Sequence, residues 1–165
     1  MSDMEDLDSR LLIEPAAVVV HAVEKAKEIF NFKHNSYVLV QGCGPIGLLL
    51  LATVRTMGCR NIIASTIWHY VCRGGSMCEL GFFVNNGDAV YNPHLDICNK
   101  EIKVVGSWTC QTKDWLQAME MLKEAMKQGW PVGELVSHKF PLDEINEAME
   151  TNIRMGGLKI AVVNS

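Results

Sequence analysis

The stretch Val38-Leu39-Val40-Gln41-Gly42-Cys43-Gly44-Pro45-Ile46-Gly47 decides the fold class of this chain. It continues a β-prone run that begins at Tyr37, and its last residues open an apolar helix predicted over Ile46–Met57. A second apolar run, Asn61–Ala64, is typical of a buried strand. A strand, a glycine turn, a helix and a second strand within about 30 residues predict a βαβ unit with two parallel strands.

The glycine turn is the strongest chemical signal in the sequence. Gly42, Gly44 and Gly47 fit the pattern G-x-G-x-x-G, in which the glycines permit a tight turn, close backbone approach to a pyrophosphate, and close packing of helix on strand. Pro45 fixes the entry angle of the helix, and the amides of Ile46 and Gly47 can donate to phosphate oxygens. We predict a dinucleotide contact at these five residues. The alternative is a purely structural tight turn.

A dinucleotide site of this kind usually has an acid about 20 residues after the turn, which binds the adenosine ribose. No Asp or Glu lies between Gly47 and Glu79, and the nearest charges are Arg60 and Arg73. One interpretation is an arginine site for the 2′-phosphate of NADP. The interpretation we favour is that the ribose site was lost with part of the segment. The choice between NAD and NADP therefore stays open.

The rest of the chain alternates predicted strands and helices, which indicates an α/β protein. We expect an acidic, disordered tail over 1–10, a nucleotide-binding domain over 11–134, and a C-terminal strand-helix-strand segment over 135–165. The further predicted strands are Ser76–Val84, Glu101–Val105, Leu135–Phe140 and Leu158–Val163. The further predicted helices are 11–29, 112–128 and 142–151.

Composition excludes several classes of function. The 165 residues allow one core, and the net charge of −4 argues against a nucleic-acid or anionic-membrane partner. No apolar run approaches the roughly 20 residues of a membrane span, and the acidic N-terminus does not resemble a secretory signal. The six cysteines have no C-x-x-C spacing, and the five histidines have no ligand spacing. We expect a soluble cytoplasmic protein with free cysteines.

An ordered set of motifs gives a family resemblance. The chain resembles the C-terminal, cofactor-binding half of medium-chain zinc-dependent alcohol dehydrogenases of the sorbitol or threonine dehydrogenase type. The resemblance covers nearly everything after Leu11. Its motifs, besides the glycine turn, are Leu12-Ile13-Glu14-Pro15, Val20-His21-Ala22-Val23, Arg73-Gly74-Gly75, Lys100-Glu101-Ile102-Lys103-Val104-Val105-Gly106-Ser107 and His138-Lys139-Phe140-Pro141-Leu142-Asp143-Glu144-Ile145-Asn146-Glu147-Ala148.

The resemblance implies a truncated Rossmann-like fold. The family sheet has roughly six parallel strands in the order 3-2-1-4-5-6, of which this chain supplies about four, flanked by helices. Ten residues separate Ser65 from Ser76, whereas a parallel crossover needs about a dozen or more. The resemblance implies an internal deletion between Ser65 and Arg73, because elements of the family fold are skipped there. This deletion leads either to the strand order 2-1-5-6 or to an imperfect sheet with exposed edges. In the family, the C-terminal segment returns to the catalytic domain.

The resemblance also implies a function. In the family a zinc ion polarises an alcohol and a hydride passes to a nicotinamide. The domain that carries the zinc ligands is absent, so we assign no catalytic residue, expect no zinc on this chain and expect it to be inactive alone. The expected partner is NAD or NADP, contacted by Gly42, Gly44, Pro45, Ile46 and Gly47, and at the strand ends by Gly81, Phe82, Gly106 and Ser107.

Two other readings stay open. The chain could be a non-catalytic interaction or structural module that binds no nucleotide. Such a module would pair with a second copy, or with a full-length relative, through the strand edge at Lys103–Val105, since dimers of the family join their sheets edge to edge. It could also be a product of internal deletion with no settled function.

Overall fold

The computed structural model describes residues 7–65, 71–81, 84–85, 87–88 and 90–164. Phe82, one of the predicted cofactor contacts, lies outside the described residues. The helices are α1 (Leu7–Leu11), α2 (Ile13–Phe30), α3 (Pro45–Thr56), α4 (Thr112–Lys127) and α5 (Ile145–Ile153). The strands are β1 (Tyr37–Gln41), β2 (Asn61–Ser65), β3 (Ser76–Glu79), β4 (Lys103–Gly106), β5 (Val136–Pro141) and β6 (Lys159–Val163).

The strands form three parallel pairs, β1 with β2, β3 with β4 and β5 with β6. This confirms the predicted α/β class and its partial Rossmann-like sheet. Among the described residues β1 does not pair with β3, so the order 2-1-5-6 is not formed and the sheet has open edges. The physical reason is the short connection, since the ten residues after Ser65 fall below the length of an ordinary parallel crossover.

The core lies where α2 packs on α3 and α4, and where α3 packs on one face of the β1–β2 pair. Leu12, Val19, Leu49 and Leu122 are fully buried, and Val40 of β1 is nearly so. The opposite face of the pair is open, because Tyr37 and Ile63 are 88% and 65% exposed. A doubly wound sheet has helices on both faces. In the described residues, helices cover only one face of the β1–β2 pair.

The described part of the chain begins with a helix. Residues 7–11 form α1 instead of continuing the acidic tail expected over 1–10. The reason is tertiary contact: Ser9 is fully buried, and the Asp8 carboxylate lies 2.6 Å from the Lys139 ammonium of β5. The first helix thus connects the N-terminal region to the C-terminal strand pair.

Two further boundaries differ from the sequence prediction. The third strand ends at Glu79 instead of Val84, because the Gly81 amide turns back and donates to Glu79 Oε1 at 2.7 Å. The connection between β3 and β4 contains a helical turn over His94–Cys98, which the sequence analysis does not predict. None of the helices in the described part of the chain is long and apolar enough to span a bilayer.

Candidate dinucleotide site

The glycine turn connects β1 to α3 as predicted. Gly42 has φ +98°, a left-handed conformation that favours glycine, and Gly44 is extended at the N-cap position. Pro45 occupies the first helical turn, where its missing N–H costs nothing. Leu48 donates to the Gly44 carbonyl at 2.9 Å, and no described side chain caps the helix. The earlier amides, those of Ile46 and Gly47, therefore have neither a helical carbonyl nor a side-chain cap.

The three glycines of the turn differ in the space around them. A Cβ added at Gly47 would overlap the Gly42 carbonyl oxygen, so helix and turn approach each other more closely than any other residue would allow. A Cβ added at Gly42 or Gly44 would meet nothing within 4 Å. The turn thus has open space beside Gly42 and Gly44 and leads into helix amides that no described side chain caps. That arrangement fits the pyrophosphate of a dinucleotide.

The second predicted set of contacts lies where β3 and β4 end. Gly81 and Gly106 are exposed, and the Ser107 amide donates to the Glu79 carbonyl at 2.8 Å. Ser107 is only 7% exposed, and its hydroxyl has no hydrogen-bond partner among the described residues. The structure brings Gly81, Gly106 and Ser107 together around Glu79. No strand pairing in the described residues joins this edge to the glycine turn.

Helix α2 contributes residues that the sequence analysis missed. His21 Nδ1 lies 2.9 Å from Asp114 Oδ2 on α4, and Lys25 Nζ donates to the Gly106 carbonyl at 3.2 Å. Asp114 lies three residues after Gln111, the N-cap residue of α4. At that spacing a side chain can accept the N-cap amide, so the sequence contained a local signal for the contact of Asp114 with Gln111. No local signal could have revealed the contacts of His21 and Lys25, since their partners lie more than 80 residues away.

Neither a ribose acid nor a metal centre accompanies the turn in the described residues. The strand β2 ends at Ser65 without a carboxylate, and no group of three His, Cys, Asp or Glu side chains could hold a metal ion. Burial raises the pKa of the Cys78 thiol, against a lowering effect of Lys25. Burial likewise raises the pKa of the Cys59 and Cys110 thiols. All six cysteines are free.

The chain is similar in sequence to curated alcohol and polyol dehydrogenases. It is 43% identical over 61 residues to (R,R)-butanediol dehydrogenase of Saccharomyces cerevisiae, which covers 37% of this chain and 15% of the yeast enzyme. It is 35% identical over 68 residues to D-xylulose reductase of Scheffersomyces stipitis, covering 41% of this chain and 18% of that enzyme. No family model matches the chain.

Solved dehydrogenase structures have the same fold. An alcohol dehydrogenase of Thermotoga maritima superposes with a TM-score of 0.84 at 16% identity, over 100% of this chain and 59% of that chain. An alcohol dehydrogenase of E. coli with NADH gives 0.68 at 13% identity, over 100% and 61%. S. aureus TarJ with NADPH gives 0.75 at 14% identity, over 99% and 66%.

The parallel strand pairs and the glycine turn define a Rossmann-like α/β protein. The curated relatives then confirm the resemblance to the medium-chain zinc-dependent alcohol dehydrogenase family. The chain spans about 60% of the length of the solved structures, and the aligned stretches span less than a fifth of the curated relatives.

Proposed function

We propose that the chain binds the pyrophosphate of a nicotinamide dinucleotide at Gly42–Gly47, as the cofactor-binding half of an alcohol dehydrogenase-like oxidoreductase. One observation carries this proposal: the turn presents an open glycine cradle to a helix N-terminus that no described side chain caps. Amides at a helix start attract anions because the backbone dipoles add to their hydrogen bonds. The similarity to structures that contain NADH and NADPH supports the choice of ligand.

The predicted contact residues would have different roles in binding the dinucleotide. The Ile46 and Gly47 amides would donate to phosphate oxygens, while Gly42, Gly44 and Pro45 shape the turn. Gly81, Phe82, Gly106 and Ser107 would line the second part of the site. A bound nicotinamide would supply hydride transfer. No group of three His, Cys, Asp or Glu side chains in the described residues could hold a metal ion, so we expect no alcohol oxidation without groups supplied from elsewhere.

The adenosine end of the site should select weakly between the two cofactors. An acid at the end of β2 would bind the ribose hydroxyls of NAD and repel the 2′-phosphate of NADP, but β2 ends at Ser65. We therefore expect similar affinities for NADH and NADPH. A cytoplasmic location is proposed because all six cysteines are free, which is typical of reducing compartments.

Substitution of Gly44 tests the proposal by calorimetric titration with NADH. Gly44→Asp adds a carboxylate at the N-cap position, where it can accept the free amides and repel a phosphate. The variant should fold at least as stably as the unsubstituted chain and lose NADH binding. Asn152→Asp on the exposed side of α5 makes the same charge change and should leave binding unchanged. Binding that survives Gly44→Asp would contradict the proposal.

A non-catalytic module is the second candidate function. Its support is Val104 of β4, which is 53% exposed on a two-stranded sheet whose other edges are unpaired among the described residues. Such an edge can accept a strand of a second copy or of a full-length relative. This candidate predicts that Gly44→Asp leaves pairing unchanged, whereas Val104→Lys abolishes pairing in analytical ultracentrifugation.

A further inference from the structure

We propose that His21, acting through Asp114, is a positioning residue that holds the segment between β4 and α4 at the rim of the candidate dinucleotide site. The inference rests on the proposed function, because this segment begins at Ser107 and follows Gly106, the last residue of β4. It goes beyond that function by assigning a role to α2, which the proposed function does not use.

The contact is a buried polar network. His21 is 7% exposed and Asp114 is fully buried. The Asp114 Oδ2 atom lies 2.9 Å from His21 Nδ1 and accepts the Gln111 amide at 2.6 Å. One carboxylate oxygen therefore joins α2, the start of α4 and the end of the connecting segment. The other oxygen, Oδ1, has no hydrogen-bond partner among the described residues.

Burial of this polar network lowers the stability of the folded chain. Its presence therefore calls for a role that apolar residues could not fill. A buried carboxylate loses its hydration, and an unpaired oxygen adds to that cost. Apolar residues would pack α2 against α4 as well as or better than His21 and Asp114 do. What an apolar pair could not do is accept the Gln111 amide and so fix where the segment ends.

The same helix also contacts the other end of the segment. Lys25 lies one turn beyond His21 on α2, and its ammonium donates to the Gly106 carbonyl at 3.2 Å. Between the two, the Ala22 carbonyl accepts the Cys78 thiol of β3 at 3.7 Å. Because α2 holds residues 106 and 111 from one side, the intervening Ser107 is confined beside Glu79.

Paired substitutions of His21 test the positioning role without nucleotide. His21→Leu removes the hydrogen bond, whereas the amide of His21→Asn can donate from the position of Nδ1. We expect His21→Leu to speed hydrogen exchange at the Gln111 and Ser107 amides by about tenfold, the scale of one hydrogen bond to a charged group. His21→Asn should restore protection. The Leu48 amide, bonded to Gly44 at 2.9 Å, should be unaffected in both.

NADH titration of the same variants connects the network to the site. His21→Leu should weaken NADH binding by about fivefold, as one lost hydrogen bond does, and His21→Asn should recover it. If His21→Leu does not fold, Lys25→Met and its rescue by Lys25→Arg provide the same comparison at Gly106. Unchanged exchange at Gln111 and Ser107, or equal acceleration at Leu48, would overturn the positioning role. Failure of the unsubstituted chain to bind NADH would refute the proposed function instead, since the exchange result needs no nucleotide.

Discussion

The glycines of the turn are not interchangeable at the scale of single residues. Gly47 is required by the close approach of α3 to the Gly42 carbonyl, whereas Gly44 faces open space. The close approach of α3 to the Gly42 carbonyl at Gly47 is a packing requirement, whether or not a ligand is bound. The open space beside Gly44 serves no packing purpose. A bound pyrophosphate would explain why this space is left open.

Substitutions at these two glycines should therefore have opposite effects on stability. Gly47→Ala should lower the free energy of unfolding by about 1–3 kcal/mol, because its methyl group must displace backbone; this reverses the gain of about 1 kcal/mol that alanine usually gives within a helix. Gly44→Ser should be neutral or stabilising, since serine is a good N-cap residue. Urea denaturation of both variants measures the difference. Equal midpoints would contradict the tight approach at Gly47.

Thiol reactivity provides a second test at the residue scale. Burial raises the pKa of the Cys59, Cys78 and Cys110 thiols, so less of the reactive thiolate is present at pH 8. The remaining three cysteines are exposed, and we expect them to be alkylated by iodoacetamide first; they are Cys43, Cys72 and Cys98. Mass spectrometry of partially labelled protein identifies the order. Labelling of Cys59 as fast as that of Cys98 in the folded protein would contradict the burial described.

At the scale of elements, α4 illustrates what a sequence pattern can and cannot fix. Its sequence has an apolar face at helical spacing, made of Trp115, Met119, Leu122 and Met126. The structure confirms the helix and the burial of Leu122, but Trp115 is 41% exposed. The buried face instead follows the smaller residues Ala118 and Ala125, because they allow α2 to pack closely against α4. Helix existence depends on local periodicity, whereas the buried face depends on the neighbouring helix.

An uncovered apolar stripe on α5 is the second feature at this scale. Ile145, Met149 and Ile153 lie four residues apart on one side of the helix and are 44%, 56% and 73% exposed. The buried side of α5 contains Ala148. Exposed apolar patches of this kind promote association.

Charge on the stripe should therefore reduce self-association. We expect Met149→Glu combined with Ile153→Glu to lower the sedimentation-average mass at a given concentration, while the thermal midpoint stays within about 2 °C because neither side chain is part of the core. Asn146→Glu combined with Asn152→Glu adds the same two charges at exposed polar positions of this helix. This matched control should leave the mass distribution as it is. An average mass of the double variant that equals or exceeds that of the control would exclude the stripe as the cause of association.

At the scale of the whole molecule, local connections were predictable and long-range arrangement was not. The β1–α3–β2 unit followed from residues 37–65, because the glycine turn, the helix and both strands are encoded within that stretch. The separation of β1–β2 from β3–β4 depends on how ten residues cross between them, and the sequence left two solutions open. The contacts of His21 and Lys25 depend on tertiary packing and carried no sequence signal.

The central claim is that the amides at the start of α3 donate to a dinucleotide pyrophosphate, and backbone amide chemical shifts during an NADH titration test it most directly. We predict saturable shifts at Ile46 and Gly47, with smaller changes at Gly106 and Ser107 and none on α5. The same titration with Gly44→Asp should give no change at Ile46 or Gly47. Amides of Gly42–Gly47 that stay unshifted at millimolar NADH, in a chain that is otherwise folded, would contradict the claim.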